Sequence, residues 1–132
     1  FSDVIANPNE HIPEKTRKIQ EDNVQVLHYN YISDSILGYK SHMGAGSITS
    51  NVKSDKSLAV IHNGDERIET GRKKIGAILG DCVEVGCNSV LNPGTIIGRN
   101  SNVYPVSFVR GVVPENSIWK TGGVLVPKNH MV

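Results

Sequence analysis

Few side chains in this sequence can do proton or acyl chemistry near neutral pH. Five are histidines, at positions 11, 28, 42, 62 and 130, and two are cysteines, Cys82 and Cys87. An imidazole titrates near neutrality and serves as a general base, a proton shuttle or a zinc ligand. His28 stands out by its neighbours: Tyr31 three residues on, Asp34 three further, then His42, the run Gly44-Ala45-Gly46, and Asn51. Without that setting His28 reads as a structural histidine at a corner with its hydrogen bonds satisfied. A cysteine nucleophile needs a base and an orienting group beside it. No His and Asp pattern flanks Cys82 or Cys87, so both read as plain thiols of a reducing cytoplasm.

What must position these residues is a repeat. Every sixth residue from Leu79 is aliphatic: Leu79, Val85, Leu91, Ile97, Val103, Val109. Four places after each stands a small or β-branched residue: Val83, Ser89, Thr95, Ser101, Ser107, Val113. Run backwards, the same phase meets Met43 and Leu37, each followed by glycine. A helix repeats at 3.6 and a flat strand at 2. A strict six needs a short strand and then a turn, and three such faces close one 18-residue coil of a triangular prism. The aliphatic points inward, the small residue fills the corner, and successive coils stack as parallel strands about 4.8 Å apart. An ordinary β-sandwich would instead show period-2 strands with turns every 8–12 residues.

Composition agrees. Sixteen Val and thirteen Ile stand against six Leu, a ratio that favours strands over helices. A net charge of +1 with mixed signs gives no basic block for nucleic acid or an anionic membrane, and no apolar run approaches the ~18 residues of a membrane span. Two cysteines do not make a disulfide scaffold. A zinc site on such a prism needs three well-placed histidines. His11, His62 and His130 lie off the six-residue lattice, and His28 and His42 fall on non-equivalent faces, so no metal is expected.

Along the chain, residues 1–24 carry no hexads and read as an irregular arm or one degenerate coil, with Asn7-Pro8-Asn9-Glu10 able to cap a helical turn. Residues 25–119 read as the β-helix. Asn63-Gly64 between two strand-like runs is a strong hairpin signal, and predicts a hairpin thrown out of a prism corner over about 55–74. Residues 120–132 read as a C-terminal cap or tail, since a solenoid needs its ends closed. The prism is small, and packing several side by side would bury more apolar surface.

The stretch His28–Asn51 resembles the acetyltransferase half of the bacterial bifunctional UDP-N-acetylglucosamine pyrophosphorylase/glucosamine-1-phosphate acetyltransferase. The shared pattern is His-x-x-Tyr, Asp three residues later, then Gly-Ala-Gly and Asn, with the hexads over 25–119. The resemblance implies an all-β, left-handed parallel β-helix, a homotrimer, and acetyl transfer from acetyl-CoA to an amino sugar phosphate in sugar-nucleotide metabolism. It implies His28 as the general base on the sugar amine, with Tyr31, His42 and Asn51 beside the sugar phosphate. It implies Ala45, Cys87 and Tyr104 along the coenzyme A channel. Nucleotidyl transfer in that family uses a separate α/β domain with a Gly-rich loop, so this chain is not expected to perform it. The family's tyrosine after the asparagine is Val52 here, a small channel serine is Cys87, and a pair of alanines is Tyr104-Pro105. These departures open a second reading, a non-catalytic β-helix module for oligomerisation or ligand sensing.

Overall fold

The computed structural model describes residues 18–20, 24 and 29–128, and among them it holds fifteen strands and no helix. His28, the Asn7-Pro8-Asn9-Glu10 capping motif, and His11 and His130 lie outside the described residues. Three parallel stacks make the faces of a prism. The first holds β1 (Lys18–Gln20), β2 (Ser35–Leu37), β7 (Ala77–Leu79), β10 (Thr95–Ile97) and β13 (Val112–Val113). The second holds β3 (His42–Met43), β8 (Glu84–Val85), β11 (Asn102–Val103) and β14 (Ser117–Lys120), with β15 (Val124–Pro127) added antiparallel at its end. The third holds β4 (Ile48–Thr49), β9 (Val90–Leu91) and β12 (Phe108–Val109). The coil is a left-handed parallel β-helix.

The six-residue period explains the packing. Leu37, Met43, Leu79, Val85, Leu91, Ile97, Val103 and Val109 are all buried and form the file down the prism. Burying each contributes roughly 1.5–3 kcal/mol. The small polar residues at the fourth place are buried as well, and, Ser41 apart, their hydroxyls serve the corners. Ser47 Oγ donates to the Gly44 carbonyl (2.6 Å), Thr95 Oγ1 to that of Asn92 (2.7 Å), and Ser107 Oγ to that of Tyr104 (2.6 Å). Glycine follows the aliphatic where coils stack backbone on backbone. A Cβ on Gly80 would lie 2.6 Å from the Arg99 nitrogen.

Val113 departs from its expected place. It is no corner filler but an inward aliphatic of the next coil, opposite Ile97 at a spacing of 16 instead of 18 residues. The corner between Val109 and Val112 is two residues shorter because Gly111, at φ 83°, turns it.

The hairpin leaves between the third and first faces. β5 (Val60–Asn63) pairs antiparallel with β6 (Glu66–Glu69), so the loop is Gly64-Asp65, one residue beyond the expected Asn63-Gly64. Gly64 takes the positive φ that the first position of a II′ turn requires. The hairpin folds back along the prism edge. The Val60 and His62 carbonyls lie 3.3 and 3.1 Å from where Cβ atoms on Gly94 and Gly111 would stand, and Ile61 is buried. At the C-terminal end, Trp119 stacks over Val103 and against the core, closing the tube beneath β15.

Candidate functional site

The residue just before each inward aliphatic faces outward, so each face presents one column. On the first face that column is Ile36, Ile78, Ile96 and Val112, and on the third it is Ile48, Val90 and Phe108. On the second it is His42, Glu84 and Asn102, in direct register, with Ile118 beyond them. The second face is therefore polar over three successive coils, and the other two are apolar. Glu84 Oε2 accepts from Asn102 Nδ2 (3.4 Å), and Lys128 Nζ donates to Asn102 Oδ1 (2.8 Å), pinning the C-terminal segment to this face.

Beside the polar column lies a groove of about 340 Å³. Gly44 and Gly86 form its floor, His42, Glu84 and Asn102 one side, and Cys87, Tyr104 and Pro105 the rim at the next corner. The glycines are obligatory there, because a Cβ on Gly86 would strike the Pro105 backbone, with its Cα at 2.7 Å. Cys87 carries a free, exposed thiol, and Tyr104 is partly exposed. Val106 beyond it holds φ 56°, which a β-branched residue adopts only when its surroundings enforce it. Ala45 sits exposed in the turn next to the floor. That turn is held by Asn30 Nδ2, which donates to the Gly44 and Ser47 carbonyls (2.8 and 2.9 Å), and by the Asn88 N–H on the Ala45 carbonyl (2.9 Å).

The groove thus gathers His42, Cys87 and Tyr104, with Ala45 at its edge. Tyr31 and Asn51 lie elsewhere. Tyr31 extends the third face by a bridge to Ile48 and is about half exposed. Asn51 stands at the corner from which the hairpin departs, its amide bonded to Asp34 (2.8 Å). Glu84 and Asn102 went unnoticed in the sequence, although they stand one coil apart at the lattice place of His42. Among the described residues no three His, Cys, Asp or Glu side chains converge as a metal site, and no helix is long and apolar enough to cross a membrane.

No protein-family model matches the chain. It is 30% identical over 108 residues to the "Bifunctional protein GlmU" of Methanococcus maripaludis strain S2, covering 81% of this chain and 26% of that protein. It is 38% identical over 105 residues to the protein of the same name from Methanococcus aeolicus, covering 79% and 25%. A "Bifunctional sugar-1-phosphate nucleotidylyltransferase/acetyltransferase" of Sulfurisphaera tokodaii is 30% identical over 96 residues, covering 73% and 24%. The chain resembles the β-helical acetyltransferase half of the GlmU proteins. It spans about a quarter of the length of these bifunctional relatives. Among solved structures it is similar to a maltose O-acetyltransferase from Clostridium difficile 630 (TM-score 0.50, 16% identity, 87% of this chain and 68% of that one). It is similar also to a point mutant of AntD, an N-acyltransferase from Bacillus cereus, in complex with dTDP and coenzyme A (TM-score 0.51, 17% identity, 88% and 79%). At these identities the likeness is one of fold.

Proposed function

We propose that this GlmU-like β-helix transfers an acetyl group from acetyl-CoA to the amine of an amino sugar phosphate in the cytoplasm. The observation that carries the reading is the glycine-floored groove of the polar face, where His42, Cys87 and Tyr104 meet beside the exposed Gly44–Gly46 turn. In this reading the groove takes the thioester arm as substrate, with Ala45, Cys87 and Tyr104 along it. Tyr31, His42 and Asn51 hold the sugar phosphate, and His28 removes the proton that keeps the amine from attacking. The amine nitrogen then bonds to the thioester carbonyl carbon, the carbon–sulfur bond breaks, and coenzyme A leaves as thiolate and takes up a proton. An amide N–H of the Gly44–Gly46 turn suits the oxyanion.

Tyr31 and Asn51 belong to other parts of the prism than the groove. A complete centre therefore joins one copy's groove to the neighbouring copy's third face, which fits a homotrimer packed through the apolar Ile78 and Val90 columns. Nucleotidyl transfer is not part of the proposal. The second reading, a non-catalytic ligand-sensing module, rests on Tyr104-Pro105 standing at the rim of the groove where the family has a pair of alanines. The test is release of coenzyme A thiol with acetyl-CoA and glucosamine 1-phosphate. Turnover is expected, and His28→Ala is expected to lower kcat by roughly 10²–10⁴-fold with little change in KM. An unchanged rate in the variant would clear His28 of the base role, and no turnover in the parent protein would leave the sensing module.

A further inference from the structure

The corner where the hairpin leaves the prism is tied by two residues. The Asn51 carbonyl accepts from the Ile75 N–H (3.0 Å), and the Asp34 carbonyl accepts from the Gly76 N–H (2.8 Å), so departing and returning strands close on the same pair. Their side chains are joined as well. Asn51 Nδ2 donates to Asp34 Oδ2 (2.8 Å) and to Ser33 Oγ (3.3 Å), and Ser33 Oγ donates to the same Asp34 oxygen (3.1 Å). A carboxylate only accepts, so the amide must turn its nitrogen toward Asp34. The nitrogen of Asn51 is thereby committed to this pair. What Asn51 turns away from the pair is Oδ1, an acceptor, with the Asp34 charge behind it.

We propose that Asp34 is a positioning residue that fixes Asn51 as an acceptor, so that this corner reads a donor group, the amine of the amino sugar, and turns away its phosphate. The proposal rests on the acetyl-transfer reading for the identity of the ligand, and on the hydrogen bonds above for the polarity. A phosphate carries acceptors and negative charge, and would face Asn51 Oδ1 and the Asp34 carboxylate without a donor between them. An ammonium supplies three donors and the opposite charge.

Side-chain amide spectroscopy tests the polarity directly. In ¹⁵N-labelled protein the Asn51 Nδ2 resonances should move as pH is taken through the Asp34 titration, and that response should vanish in Asp34→Leu. In turnover, Asp34→Leu should raise KM for glucosamine 1-phosphate about tenfold to a hundredfold, more than it lowers kcat. Asp34→Asn, whose amide oxygen still accepts, should recover most of the loss. An Asn51 amide indifferent to Asp34, or an unchanged KM in Asp34→Leu, would overturn the proposal. Should Asp34→Leu fail to fold, the titration of the parent protein decides alone. Absence of turnover in the parent protein would count against acetyl transfer only, since the amide titration still decides the role of Asp34.

Discussion

At the scale of single residues, glycine and serine hold the corners together more than charge does. Gly76 shows the constraint most sharply. A Cβ there would run into Ser35 Oγ and the Ser33 carbonyl, which belong to a buried network through Thr49 Oγ1 and the Ala77 N–H. Gly76→Ala is therefore expected to destabilise the chain by about 1–3 kcal/mol, read as a lowered midpoint in urea unfolding. A midpoint unchanged within error would show that the corner has slack. Part of the candidate site was legible at this scale. His42, Cys87 and Tyr104 were found by resemblance and do share one groove. Glu84 and Asn102 were within reach of arithmetic alone, since the lattice place of His42 recurs at both. Asp34 was visible only as a neighbour of the histidine motif. Its bond to Asn51 spans 17 residues of chain and could not be read from local sequence.

At the scale of elements, the six-residue period was almost fully legible because one buried side chain per face leaves a strict signature. Its failure at Val113 has a local source: Gly111, at φ 83°, turns the corner two residues early, and no aliphatic spacing announces that. The hairpin itself was legible from Asn63-Gly64, but its loop is set by which residue accepts a positive φ, and Gly64 takes it. At the hairpin's entry, the Ser57 hydroxyl and then its N–H on the Asp55 carboxylate (2.6 and 2.9 Å) hold that acid below its ordinary 3.8. A depressed acid contributes its stability above the unfolded value and loses it as pH falls through the folded one. The turn should thus stay intact at pH 5 and loosen only well below pH 4. An NMR titration of Asp55 with a midpoint at or above 3.8 would contradict this. Within the core, Leu91→Ala should cost about 2–5 kcal/mol, as the hydrogen-bonded coils on either side hold the cavity open. A loss under 1 kcal/mol would mean that the file is loosely packed.

At the scale of the whole molecule, the asymmetry of the faces matters most. Two present apolar columns to the outside and one presents His42, Glu84 and Asn102. Replacing Ile78 and Val90 together by lysine is expected to convert the proposed trimer to monomers in sedimentation, leaving the inward file untouched. Survival of the trimer would show that the copies meet elsewhere. The hand of the coil and the expected three-fold assembly came from resemblance, because a six-residue period is silent on both.

The groove stands at the centre of the functional reading, and acetyl-CoA tests it most directly. Calorimetric titration of the protein with acetyl-CoA should show saturable binding at one site per chain, and Tyr104→Ala should tighten it by widening the rim of the groove. No heat of binding up to millimolar acetyl-CoA, in the parent protein and in Tyr104→Ala alike, would contradict the account.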